Sequence, residues 1–478
     1  MPAINFTSKP MKYIYSASIV LVGCLFLLRL PVQAEDILIK GVHIITMKDD
    51  KVLRNQNVLI RDGKIAYIGK KSAKAERVVH AKGKYILPGL MDMHVHLFSD
   101  DGMPQEAGLE ELKVLLSNGV TSVRLMNGYQ HHLQWREQIK NKQLLGPNLY
   151  VASPEIVGRK YTQDLHGHLL TEPAQADSVI RAIKNEGYEF VKITVDVSLP
   201  VYNQITATAK EVGIPVVGHV GPKIKLINAL KAGQQIEHLD QYLDALLKEG
   251  SAYTESISDF NLWKKDFWPS IFEVDTSKIS GIIQLVKENN VYNTPTSNFL
   301  QNAFGYGMDS LEILSRPDYL FTPASRRPEY WRRRTIYFTR VNPTGEMKER
   351  YKAIRKKIVK ELQANGCKLM AGSDTPDWFY TYGFSLHREL EEFVKAGLTP
   401  YQALETATIN PAQYLKVSDQ YGTVEVGKVA DLVLLSANPL ESISHSKKIS
   451  AVVKHGRYLT EKEIEQMLEK AKAVYQAH

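Results

Sequence analysis

The chain has 478 residues, 44% of them hydrophobic and 23% charged, with a formal net charge of +8 at pH 7. Such a length and balance describe a folded chain with a large buried core and exclude a disordered or low-complexity one. Only two cysteines, Cys24 and Cys367, are present, which excludes a fold built on disulfides.

The N-terminus reads as an export signal. Lys9 and Lys12 precede an apolar run over 18–28, and Pro31-Val32-Gln33-Ala34 offers small residues for cleavage before Glu35. The run is short for a membrane span and Arg29 interrupts it. A signal peptide over 1–34 is expected, with a mature protein that is periplasmic or secreted and has no stable membrane span. Leu21-Val22-Gly23-Cys24 resembles a bacterial lipoprotein processing box, but the residues after Cys24 stay apolar, which disfavours a lipid anchor. Removing 1–34 takes away three basic side chains and no acid, leaving +5, too little to argue for a nucleic-acid partner. Cys367 precedes an apolar run and reads as an inert buried thiol.

Residues 35–87 read as short strands over 36–39, 58–60, 65–68 and 85–87, separated by Asp62-Gly63 and Lys82-Gly83 turns. The segment 421–460 mirrors this, with strands over 431–435 and 449–456, and 461–478 closes the chain as a helix. Neither half suffices for a stable sheet, so the two are expected to pack as one small β-sandwich built from both chain ends. Between them, over 88–420, strands alternate with helices. Helices are predicted over 108–118, 174–186, 202–212, 224–232, 279–289 and 347–365, each leading into an apolar strand. Parallel βα units approaching eight in number predict a (β/α)8 TIM-type barrel, an α/β fold whose active residues gather at the C-terminal strand ends. The region 295–345 fits no βα unit. With its tyrosines and the arginines 326–334 it reads either as a lid beside the barrel mouth or as a solvated helix, and Trp263, Phe267 and Trp268 pose the same choice.

Leu87-Pro88-Gly89-Leu90-Met91-Asp92-Met93-His94-Val95-His96-Leu97 carries two histidines one residue apart at the end of an apolar stretch. Side chains at i and i+2 of a strand share a face, so His94 and His96 can aim two imidazoles at one point. Alone, that pair does not distinguish ligands from packing residues. Further polar side chains close later apolar runs: Lys192, His219, His238 and Asp374. Lys, His or Asp in such a setting is costly unless something pairs with it, and a metal centre accounts for all of them together.

The order HxH, Lys, His, His, Asp on successive strands resembles the amidohydrolase superfamily. Gly63–Gly69, 398–404, 407–412 and 422–435 extend the resemblance over nearly the whole mature chain, towards its imidazolonepropionase-like and Xaa-Pro dipeptidase-like branch. The resemblance implies two divalent ions, one held by His94 and His96 with Asp374, the other by His219 and His238. It implies that Lys192 carries a CO2-derived carbamate bridging them, the alternative being an unmodified lysine paired with Asp374 or Asp196. Nitrogen and oxygen donors without thiolate suit Zn2+, and also Mn2+, Co2+ or Fe2+. The implied reaction is hydrolysis of a C–N amide bond by a metal-bridging hydroxide, with Asp374 as catalytic proton shuttle, on a small-molecule substrate such as a dipeptide or an N-acyl amino acid. A cyclic amide (imidazolone or lactam) hydrolase and a phosphotriesterase-like hydrolase stay open on the same centre. A deaminase is disfavoured, having no need of Lys192. A non-catalytic binding protein would predict lost ligands, and none is lost. Substrate contacts are sought at His168, equally readable as a surface-loop residue, at Tyr202, on a helix after the Lys192 strand, at His387, which either lines the mouth or caps a helix, and at Arg159 or an arginine of 326–334 for a substrate carboxylate. A homo-oligomer stays open.

Overall fold

The computed structural model describes residues 35–97, 103–160, 166–256, 261–300 and 310–478. The signal peptide expected over 1–34, and Cys24 with it, lies outside the described residues.

Both chain ends meet in one eight-stranded sheet. Its strands run in the order Arg457–Thr460, Ile449–Lys454, Leu432–Leu435, Tyr85–Pro88, Ile37–Ile45, Val52–Arg61 and Lys64–Gly69, with Arg77–His80 also on Ile37–Ile45. The join between the halves is the antiparallel ladder of Tyr85–Pro88 with Leu432–Leu435, where Val433 faces Leu87 and Leu434 faces Ile86. Alternation then divides the side chains between two cores. Leu432 and Leu434 enter a core shared with Ile37, Ile39, Ile60 and Val453, whereas Val433 and Leu435 enter the larger core of the barrel. The sheet therefore lies against the barrel on one face and covers a core of its own on the other. Arg77–His80 and Arg457–Thr460 are strands that sequence patterning missed.

The central region winds parallel segments into a ring. Leu90–Val95, Val120–Leu125 and Asn148–Val151 pair in parallel, the first ladder with two register shifts. Ala152 bridges to Phe190 ahead of Val191–Ile193, which pairs with Val216–Gly218. Ile236–Glu237 pairs with Asn293–Thr294, which bridges to Leu369. The segment around 368–375 returns to the first strand, where Met93 N donates to Ala371 O at 2.9 Å. Between Val216–Gly218 and Ile236–Glu237 the junction is made by a side chain: Gln234 Nε2 donates to the carbonyls of Gly218 and His219, each at 3.3 Å. Helices follow where the sequence places them, among them Gln105–Ser117, Ala176–Glu186, Leu199–Val212, Ile279–Glu288 and Gly345–Ala364. The final helix, Glu461–Ala477, begins with a capping box in which Thr460 accepts from Glu463 N. Among the described residues no helix is long and apolar enough to cross a membrane.

Candidate metal centre

The ring pairing decides which side chains meet. His94 closes the strand Leu90–Val95 and His96 follows it, on the same face, with ring centroids 5.4 Å apart. Asp374 arrives from the opposite end of the barrel sequence because the last segment pairs with the first: Asp374 N donates to His94 O at 2.8 Å, and His96 N to Thr375 O at 2.7 Å. Its Oδ1 then lies 3.4 Å from Nε2 of His94 and 3.7 Å from Nε2 of His96, and its Oδ2 3.7 Å from Nδ1 of His238. The His238 ring is 4.7 Å from that of His94 and 4.9 Å from that of His219. Ligand atoms of His94, His238 and Asp374 all fall within 4.8 Å of one another.

Two glycines permit this convergence. A Cβ on Gly372 would stand 2.8 Å from the His94 Cβ, and one on Gly218, whose φ is +103°, would stand 2.4 Å from Ile193 O and 2.8 Å from Lys192 Cδ. His238 and Asp374 themselves have left-handed backbones, with φ of +59° and +54°. Non-glycine residues pay about 1–3 kcal/mol for such conformations, which cluster at functional sites.

The electrostatics suit cation ligation. Lys192 is buried and its charge acts on His94, His96, His219 and His238. Burial is the leading cause of lowering at each imidazole, with Lys192 and neighbouring rings adding to it. His96 and His219 fall to about 3, and His94 and His238 well below the ordinary histidine value. All four rings are thus neutral at pH 7, the state that binds metal. Three of the four rings are braced on one nitrogen. Glu237 Oε2 sits 2.9 Å from Nδ1 of His94, Asp240 Oδ2 3.0 Å from Nδ1 of His219, and Thr296 Oγ1 2.8 Å from Nδ1 of His238. Donor type, protonation and bracing together fit a divalent cation. Lys192 makes no ion pair among the described residues. Asp196, one of its two alternative partners, instead meets Arg159 Nε at 3.3 Å.

Glu237, Asp240, Thr296, Arg124 and Arg355 were missed from sequence. Arg355 donates to the carbonyls of His238 and Pro295 at 2.9 and 2.8 Å, fixing the turn that carries His238. The available signal was a charged residue inside an apolar strand, as in Val123-Arg124-Leu125 and Ile236-Glu237-His238.

The substrate-contact residues do not gather with this cluster. Arg159 follows the strand Glu155–Val157 on the rim and is exposed. His168, in Gly167–Leu169, has Glu186 and His166 as its titratable neighbours. It is His166 that stacks on Tyr129, 3.7 Å between centroids, and reaches Gly128 O at 2.9 Å. Two expectations need correction. Tyr202 is fully buried in the barrel core, packed there by the helix Leu199–Val212. His387 spends both ring nitrogens on structure, Nδ1 with Ser446 Oγ at 2.9 Å and Nε2 with Asn118 O at 3.0 Å. Asn118 caps the helix before the strand Val120–Leu125, so His387 sits at the N-terminal end of the barrel, away from the mouth.

Residues 301–309 of the insertion lie outside the described residues; its later part packs over the loop that follows Asp374. Its helix Arg327–Arg340 sets Trp331 4.7 Å from Phe379 and Arg333 Nη1 3.0 Å from Asp377 Oδ1. Trp263 joins it, 5.2 Å from Tyr337 and 5.3 Å from Trp378. The helix thus packs one side, with Tyr330 and Tyr337 buried, against its neighbours and leaves the rest partly or fully exposed.

Known proteins share parts of this chain. It is 36% identical over 91 residues to an adenine deaminase of Listeria welshimeri, covering 19% of this chain and 15% of that protein. It is 43% identical over 51 residues to an imidazolonepropionase of Kosmotoga olearia, covering 11% and 13%. The chain thus spans only about a seventh of the length of these relatives. Solved structures match more completely. A Xaa-Pro dipeptidase crystallised with methionine in its active site superposes with a TM-score of 0.63 at 21% identity, over 89% of this chain and 100% of that one. Bottromycin amidohydrolase superposes with a TM-score of 0.68 at 20% identity, over 92% and 90%. At these identities the likeness is one of fold. The model of the amidohydrolase family matches residues 85–459, from the sheet strand before the first barrel strand to the C-terminal strands, and the chain belongs to that family.

Proposed function

We propose that the protein is a binuclear metal-dependent hydrolase of C–N amide bonds, acting on a dipeptide or an N-acyl amino acid. The observation that supports this reading is the gathering of His94, His96, His219, His238 and Asp374, beside a buried Lys192 that makes no ion pair among the described residues. His94 and His96 with Asp374 would hold one ion, and His219 and His238 the other. Lys192 would lie between them as a carbamate, since a free ammonium cannot bind a cation. Divalent ions held here supply Lewis acidity and lower the pKa of water towards neutrality. Asp374 takes the proton of the attacking water on a carboxylate oxygen and passes it to the leaving nitrogen. His94 and His238 are buried, while His96 and His219 keep part of their surface exposed and would be the rings a substrate meets. The exposed guanidinium of Arg159 would meet a substrate carboxylate in this reading, in exchange for its present partner Asp196. The chain is exported and works outside the cytoplasm in this reading.

The local identity with adenine deaminase favours a second reading, deamination, which leaves Lys192 without a role. A screen of dipeptides, N-acyl amino acids, cyclic amides and adenine nucleosides with Zn2+- and Mn2+-loaded protein separates the two. Turnover of the first two classes is expected. Turnover of adenine nucleosides alone would overturn the proposal.

A further inference from the structure

Inward-facing layers of such barrels are normally filled by branched apolar side chains. Behind His94 the filling is charged. Arg124, within Val120–Leu125, and Glu237, ending Ile236–Glu237, are both fully buried. Arg124 Nη2 donates to Glu237 Oε1 at 2.7 Å, and the other carboxylate oxygen meets Nδ1 of His94 at 2.9 Å. The same guanidinium donates through Nε to Met93 O at 2.7 Å and through Nη1 to Gln235, which donates onward to Thr294 Oγ1 at 2.8 Å. Its carbon lies 5.6 Å from the centre of Phe190 and 5.7 Å from that of Tyr414.

A buried Arg–Glu pair is weak ground for stability, because desolvation offsets much of the attraction and apolar residues fill such a space equally well. This pair does something apolar residues could not. It holds an acceptor against the far nitrogen of a ring whose Nε2 faces Asp374, and it ties down the backbone one residue before that ring. Resting on the metal-centre reading, we propose that Glu237 and Arg124 are positioning residues for His94. Glu237 accepts the Nδ1 proton and so leaves Nε2 bare for the ion, and Arg124 holds Glu237 and the Met93 carbonyl in register.

The test is the zinc affinity of the full chain, wild type against Glu237→Gln and Arg124→Lys, by competition with a chromophoric chelator. Metal-free melting curves and a structure of the zinc-loaded wild type accompany it. Zinc binding weakened about 10–100-fold in Glu237→Gln, in a variant that still melts cooperatively, with zinc on Nε2 of His94, is the expected result. Wild-type affinity in a folded Glu237→Gln variant, or zinc on Nδ1 of His94, overturns the positioning role while leaving the metal-centre reading intact. Should the variants fail to fold, the nitrogen bound in the wild-type structure decides alone. A wild-type chain that binds no zinc at all overturns both.

Discussion

Asp374 reaches three imidazoles at 3.4–3.7 Å and keeps part of its surface open. A carboxylate so placed has two duties, ligation and proton transfer, and one substitution separates them. Asp374→Asn keeps an oxygen donor but has no basic oxygen to accept a proton, so it should retain metal better than turnover. With general acid–base steps contributing about 10²–10⁴-fold, kcat should fall by that order while metal content, measured by atomic emission, falls less. Unchanged turnover would remove Asp374 as proton shuttle. At this scale the sequence picked out the six candidate positions, because each interrupts an apolar run with a group that burial penalises. It did not show Glu237 or Asp240, whose value lies in contacts with His94 and His219 across other strands. Nor could spacing distinguish His387 at the barrel's far end from a residue at its mouth.

Three barrel strands that carry or lead into candidate ligands are only two or three residues long: Val191–Ile193, Val216–Gly218 and Ile236–Glu237. Elements so short owe their register to close backbone approach rather than to strand propensity. Gly218→Ala should therefore act on the site through the element, pushing against Ile193 O and Lys192 Cδ. Overpacking of this kind costs about 1–3 kcal/mol, and the positive φ adds to it. Lower stability in chemical denaturation together with weaker metal retention is expected; an alanine variant with wild-type values of both would contradict the close-packing argument. Although the helices Gln130–Lys140 and Phe384–Lys395 were missed, helix periods were legible over much of the barrel because most βα units are amphipathic in a regular way. The insertion was not, since its helix Arg327–Arg340 is fixed by aromatic and ionic contacts to the loop after Asp374 and not by a repeating pattern.

At the scale of the molecule, sheet and barrel form one compact unit, Ala34–His478, joined through residues that alternate between two cores. That both chain ends would build one β-domain was readable from their mirrored turn and strand patterns; the ladder joining them pairs residues some 350 positions apart and was not. Stability of this unit should depend on pH through His387, which burial lowers to about 4. The unfolded histidine titrates near 6.5, so between pH 6.5 and 4 the unfolded state binds more protons. The stabilising effect is complete above pH 6.5 and is lost as pH falls towards 4, by up to about 3 kcal/mol. Urea denaturation across that range, compared with His387→Gln, should show a shallower pH dependence in the variant; identical slopes would refute it. The most direct test of the central claim is the metal stoichiometry of the purified chain beside Lys192→Ala. About two divalent ions per wild-type chain, with metal lost from a Lys192→Ala variant that keeps its fold by circular dichroism, is the result the account predicts. No bound metal in the wild type, or two ions undiminished in the variant, would contradict it.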